Sequence, residues 1–302
     1  MNPILALIIA NIIWGAASPI FKFSLQNIPP FTLAFARFSI AAVLLLPFMK
    51  GFKVSNLSYK DWLELVVGSF FGITINISFF FLGLNLTQSI NAPIIGSAGP
   101  VFLYIASILF LKERARFKVF FGMMIALLGV LAIILSPVLF DGKSLAIGEI
   151  QGNLFLVLAT LGAIAHPILY KNVLKKVDSL QITCLGFIIG AVSFLPMMIN
   201  ESQHWSLGQL NLQGLTGIIF GALFSSALAY GLFNYGLSRI EAEEVGLFSY
   251  IDPVIAVLIA IPLLHEYPNA YFFFGSLLVF GGIYIAEGRL HWHPLHKLRV
   301  KR

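Results

Sequence analysis

The stretch PVFLYIASILFLKERARFKVFFGMMIALLG (100–129) and the stretch PVIAVLIAIPLLHEYPNAYFFFGSLLVFGG (253–282) decide the fold. Each opens on Pro-Val, runs apolar to a Leu, meets a Glu two residues later, and resumes apolar through a Phe-Phe-Gly and a later Gly. The offset is 153 residues without a gap. Extended to 68–130 against 221–283, it aligns 14 identities in 63 positions. They include Gly68/Gly221, Gly83/Gly236, Pro100/Pro253, Glu113/Glu266, Gly122/Gly275 and Gly129/Gly282. Apolar composition produces chance Leu and Phe matches, but not this set of Gly, Pro and Glu. The chain therefore reads as an internal duplication.

Outward from that pair, the same alternation of apolar run and short charged stretch fills the chain. Of 302 residues, 59% are hydrophobic and 11% charged, with a mean hydropathy of +0.92. Soluble domains carry about 25% charged residues, so lipid is the solvent this composition suits. Runs long enough to span a bilayer lie at 3–24, 31–49, 62–83, 89–111, 117–135, 150–172, 181–200, 213–237, 243–265 and 269–287. The predicted fold is an all-α membrane protein of ten transmembrane helices. The first run lacks a basic flank and a clear small-residue cleavage site, so it reads as a retained helix. With the N-terminus in the cytoplasm, sixteen of the 19 Lys and Arg fall in inner stretches. Lys22 and Lys143 fall outside, and Arg37 lies within a span. That bias predicts both termini inside, with the 200–213 loop outside and the 171–178 loop inside. Five spans per half is an odd number, so the second repeat enters the membrane inverted. The predicted organisation is a first repeat over 1–135, an outer linker over 136–149, an inverted second repeat over 150–288 and a basic cytoplasmic tail over 289–302. Inverted repeats are the architecture of secondary transporters.

The net charge of +6 is spread along the flanks of apolar runs rather than in one stripe, so no nucleic-acid partner is expected. The expected partners are the lipid bilayer and a small-molecule substrate; oligomeric state is not legible. Cys184 is the single cysteine, which excludes an internal disulfide and a Cys-rich metal site. No metal and no cofactor are expected. His291, His293 and His296 are irregularly spaced in a basic tail that suits anionic lipid. An intramembrane enzyme is the rival class; it would need a paired His motif or two close carboxylates. His265-Glu266 lacks the second His. A non-transporting scaffold or a channel is the third reading, and the duplication argues against the scaffold.

Polar residues inside spans are costly and face the protein interior. The candidates for a substrate pathway are Asn11, Trp14, Arg37, Asn76, Asn91, Ser97, His166, Tyr230, Asn234, Ser249, Tyr250 and Asp252. Trp14, Asn76, Tyr230 and Tyr250 suit a pocket with aromatic walls and a few hydrogen-bonding groups. Any of the candidates can instead serve as interhelical glue, and His166 alone reads more readily as a packed histidine. Arg37 either carries function or snorkels to the outer face. Asp252, read as the middle of the ninth helix, must be paired, hydrated or protonated, and an ion pair with Arg37 is open. A wet Asp252 would bind a substrate ammonium group or a proton. Gly68, Gly72, Gly221 and Ser225 form small-residue faces for close helix packing or for a sliding seam. Pro100 and Pro253, with Pro19 and Pro167, read as kinks or as sites of freed carbonyls. Glu113 and Glu266 read as groups that close a turn or accept from the next helix's amides, and the acids 241–244 as charge at a helix start.

The chain resembles the EamA-type ten-helix members of the drug/metabolite transporter superfamily over almost its whole length. The resemblance rests on Ile13-Trp14-Gly15, Arg37, Pro100-Val101, Leu111-Lys112-Glu113, Gly122 and Gly129, and on their recurrence as Pro253-Val254, Glu266, Gly275 and Gly282. The second repeat departs at its start: Gly162 stands opposite Trp14 and Gly186 near the counterpart of Arg37. The resemblance implies export of metabolites such as amino acids without an ATP-binding subunit.

Overall fold

The computed structural model describes residues 1–53, 57–99, 102, 117–140, 147–240 and 245–287. The described chain is all-helical, and we number its helices α1 to α10 in order. They are α1 Pro3–Ser24, α2 Pro30–Leu45, α3 Tyr59–Leu86, α4 Asn91–Ser97 and α5 Phe117–Phe140. The second set is α6 Ile147–Val173, α7 Ser179–Glu201, α8 Leu212–Leu237, α9 Asp252–Leu264 and α10 Ala270–Glu287. Helices α1, α2 with its following 3₁₀ turn, α3, α6, α7 and α8 are long and apolar enough to cross a bilayer, and α5, α9 and α10 hold shorter apolar stretches. This is a multi-pass membrane protein. Met1 marks what we call the near face of the bundle; the α1–α2 connection marks the far face.

Local chemistry sets the helix ends. Asn2 caps α1 through a bond from the Ile4 amide, and Asp178 caps α7 through the Leu180 amide. Ser58 and Asp61 form a reciprocal capping box at α3, satisfying two amides that the helix leaves open. The start of α2 has no cap of its own. Glu201, at the end of α7, accepts from the amides of Phe31 and Thr32 at 3.1 and 2.6 Å, placing an anion on the positive helix end.

Three expectations need correction. The expected linker 136–149 is helical at both ends, because α5 runs on to Phe140 and α6 begins at Ile147. The ninth span is not one helix centred on Asp252. A 3₁₀ segment covers Gly246–Ile251 and the α-helix starts at Asp252. Pro253 therefore sits in the first turn of α9, where no amide bond is lost, and it starts a helix rather than kinking one. Glu266 accepts from Ser89, on the α3–α4 connection, and not from the helix that follows it. Pro100, Glu113, most of the fourth span, the acids 241–244 and the tail lie outside the described residues.

The core is built on rings and small residues. Phe38 of α2 stacks on Phe194 of α7 at 6.0 Å and lies 5.3 Å from Phe187. A Cβ on Gly129 would lie 2.6 Å from the Gly275 carbonyl oxygen, and one on Gly282 would overlap the Gly122 carbonyl. Helices α5 and α10 thus meet backbone to backbone, which only glycine permits. Their outer faces expose Phe120, Phe121, Leu128, Phe273, Phe274 and Leu277, the surface a bilayer covers.

Candidate functional site

Helices α1, α2, α3, α4, α6, α8 and α9 surround a cavity of about 290 Å³. Two of the long helices are not regular where they reach it. Helix α3 winds as a π-helix over Phe70–Ile75, and α8 over Phe220–Leu228. π-turns are rare and gather at functional sites. The first presents Gly72 and leads into Asn76; the second presents Ser225 and Ser226 and leads into Tyr230.

Small residues bring the walls together. A Cβ on Gly72 would lie 2.6 Å from the His166 Cβ, and one on Gly15 would lie 2.7 Å from the Asp252 carbonyl oxygen. Gly68 abuts Tyr170 and Leu169, and Gly221 abuts Phe21 and the Arg37 stem. The small faces of α3 and α8 therefore seat α6 and the α1–α2 pair respectively.

Arg37 is 1% exposed and does not snorkel. Its Nε donates to Ser226 Oγ at 3.0 Å and its Nη2 to Ser225 Oγ at 3.2 Å. Its Cζ lies 4.6 Å from the ring centres of both Phe21 and Phe38. Trp14 donates from Nε1 to the Ser225 carbonyl and packs edge-on to Tyr230 with centroids 5.1 Å apart. Asn76 donates to the Ala159 carbonyl at 2.8 Å. His166 packs against Tyr170 with ring centroids 4.1 Å apart and planes tilted by 32°, and pairs through Nε2 with Asn234 Oδ1 at 3.0 Å.

A relay fixes that histidine. Thr183 Oγ1 donates to the Ser179 carbonyl, so it accepts from Asn234 Nδ2. Asn234 Oδ1 is then the acceptor, and His166 carries its proton on Nε2.

Trp14, Arg37, Asn76, Ser97, His166, Tyr230, Ser249 and Asp252 line the cavity together, with Gly72 and Ser225. Four candidates do not. Asn11 donates to Leu7 of its own helix. Asn91 joins Thr87 and Asn153 near the far face. Asn234 stands behind His166, and Tyr250 packs on Phe280. Sequence reasoning missed Ser18, Phe21, Phe80, Gly96, Thr160 and Phe233 in the lining. Of these only Ser18 and Thr160 carry a polar signal.

Arg37 and Asp252 make no salt bridge, since no pair of their charged atoms comes within 4.0 Å. Four lining side chains hold a buried atom with no partner among the described residues: Ser18 Oγ, Arg37 Nη1, His166 Nδ1 and Asp252 Oδ1. The cavity thus joins spare donors and spare acceptors within apolar and aromatic walls. That is the make-up of a site for a small polar organic solute, and Arg37 and Asp252 place one basic and one acidic side chain in it without an ion pair between them.

The signature of the EamA-like transporter family matches residues 1–135 and 150–287. The chain belongs to the EamA-like transporter family. Among similar proteins is the uncharacterized transporter YetK of Bacillus subtilis (strain 168), 28% identical over 290 residues, covering 94% of this chain and 86% of that one. A probable amino-acid metabolite efflux pump of Escherichia coli (strain K12) is 24% identical over 306 residues, covering 98% and 97%. One crystal structure superposes with a TM-score of 0.66 at 18% identity, covering 96% of this chain and 99% of that one. That likeness concerns the fold. The EamA assignment makes this membrane protein a transporter.

Proposed function

We propose that this EamA protein is a secondary transporter that exports amino acids or similar small metabolites by alternating access, without ATP. The observation that carries the reading is the cavity itself: about 290 Å³, lined by helices from both halves of the chain, with a basic side chain, an acidic side chain and aromatic walls. Its volume stands at the lower end of the roughly 300–1,000 Å³ of small-molecule sites, which suits a metabolite the size of an amino acid. The similarity to an amino-acid metabolite efflux pump supports the substrate class and direction.

Two inverted repeats are the mechanical basis. Reciprocal contacts support them, as in an isologous interface. Gly129 meets Gly275 while Gly122 meets Gly282, and each glycine of one half stands 153 residues from its counterpart. Lys22 donates to the Thr87 carbonyl while Lys171 donates to the Ile240 carbonyl; the two acceptors stand 153 residues apart and the two lysines 149. Helix α1 packs against α8, and α6 against α3, so each half lends its first helix to the other. The protein resides in the cell membrane with both termini cytoplasmic, which makes the near face the inner one. Purified protein in liposomes loaded with unlabelled amino acid tests the reading. Labelled amino acid is expected to enter by counterflow, and uptake no greater than in empty liposomes across an amino-acid panel would overturn it.

A further inference from the structure

We infer that Arg37 and Asp252 are two poles that read a zwitterion, Arg37 taking the carboxylate and Asp252 the ammonium of a small amino acid. The inference rests on the transporter reading and adds to it an orientation and a selection rule.

Arg37 is almost fully buried, yet among the described residues its bonds go only to two neutral serine hydroxyls and it faces no anion within salt-bridge reach. Neutral donors and ring faces solvate a guanidinium but do not cancel its charge. The serine bonds use Nε and Nη2 and leave Nη1 spare. Arg37 thereby stays oriented and keeps a donor for a carboxylate. Asp252 is the complementary case. It is only partly buried, it lines the same cavity, and its Oδ1 has no partner among the described residues. An isolated carboxylate in such a place needs a cation or water.

The lowest-energy arrangement would pair the two side chains with each other. In this structure they do not pair. Serines 225 and 226 in the π-turn of α8 hold the guanidinium, and Gly15 lets α1 press on the backbone of Asp252, where an added Cβ would lie 2.9 Å from the Asp252 Cα. A free amino acid carries both missing charges on one carbon and closes the gap between the poles. Trp14, Phe80, Tyr230 and Phe233 remain to receive an apolar side chain. A solute with one charge satisfies one pole and leaves the other unpaired, which is how a site rejects an analogue lacking a group it was built to bind.

The test is transport in proteoliposomes of three solutes with one skeleton: leucine, isoamylamine and 4-methylpentanoate. The native protein is expected to prefer leucine at least ~10-fold over either analogue. Arg37→Gln is expected to collapse the preference over isoamylamine, and Asp252→Asn the preference over 4-methylpentanoate. Arg37→Lys retains the charge and guards against a folding defect; it should keep most of the preference over isoamylamine. Equal loss for all three solutes in both variants, or unchanged preferences, would overturn the inference. Native uptake of other solutes but none of these three overturns it alone. Absence of uptake of any solute overturns the transporter reading and the inference with it.

Discussion

Glu266 is the place to break the far face. Its carboxylate pairs with Lys22 at 2.8 Å and accepts from the Ser89 amide and hydroxyl at 2.7 and 2.6 Å. Lys22 also donates to the Thr87 carbonyl. One charged knot therefore ties the end of α1, the α3–α4 connection and the α9–α10 connection. It stands one turn beyond Ser18 and Phe21, which line the cavity. Glu266→Gln keeps one acceptor for Ser89 and removes the ion pair. Truncating one partner of a buried pair costs about 3–5 kcal/mol. Here the Lys22 side chain is 25% exposed and can turn to water, so about 2 kcal/mol is the better figure. If the knot holds only the far-closed state, that energy shifts the balance toward far-open by about 30-fold. The assay places a thiol in the lining as Ser18→Cys in a Cys184→Ser background, and measures labelling by a membrane-impermeant maleimide. Adding Glu266→Gln should speed labelling from the far face at least ~10-fold, and Lys22→Met should act in the same direction. Unchanged labelling with a lower melting temperature would refute the gate and leave a static brace.

Topology gives a second prediction: impermeant maleimide outside intact cells should label Ser206→Cys and miss Lys175→Cys, and the reverse pattern would invert the chain. Gly282→Leu should destabilise the α5–α10 contact by about 1–3 kcal/mol, read as a lower melting temperature in detergent, because no space exists for a side chain there. A Cβ on Gly96, which lines the cavity, meets nothing within 4 Å. Gly96→Val should therefore leave folding intact while reducing transport of large amino acids more than of alanine; equal transport of both would place Gly96 off the path. Asn234→Leu leaves His166 Nε2 without its acceptor, at about 1–3 kcal/mol, and should lower transport without changing the leucine-to-isoamylamine ratio.

The spans were legible because a bilayer imposes length and apolarity on every segment that crosses it. Their observed ends mostly fall within about three residues of the sequence reading. The ninth span failed for a readable reason. An acid followed by proline is a helix-start pattern, and it stood inside an apolar run that hydropathy alone treats as continuous. The site was legible only as a class of residue. Polarity inside a span marks Trp14, His166 and Asp252, which line the cavity, and equally Asn11, Asn91 and Asn234, which do not. What takes Asn91 and Asn234 off the cavity is a partner on another helix: Asn91 meets Asn153, and Asn234 meets Thr183. No periodicity encodes such pairs. Thr160 shows the opposite failure, because its hydroxyl bonds to Leu156 of its own helix, so a lining residue carries no costly polarity to betray it. Gly96 matters for the space it leaves, which composition does not record.

The two charges also break the symmetry of the duplication at its centre. The position matching Asp252 is Gly99, and the counterpart of Arg37 falls near Gly186. At Gly186 the space is already taken, since a Cβ there would lie 2.5 Å from the Tyr170 hydroxyl, itself hydrogen-bonded to Ser69 at 2.7 Å. An arginine could not enter. On the proposed mechanism a scaffold of exchanging halves needs matched packing in its two states, which is the role assigned to the glycine contacts of α5 with α10, of α3 with α6 and of α8 with α1. A bound solute needs the reverse: one polarity in both states, so that it need not turn over during transit. A cation in the first half and an anion in the second, with neither repeated, meets both demands on the proposed mechanism. The near-symmetric glycines would then carry the motion and the unmatched charges the recognition. Substitutions in the first set should slow transport of every solute alike, and those in the second should change which solute is chosen.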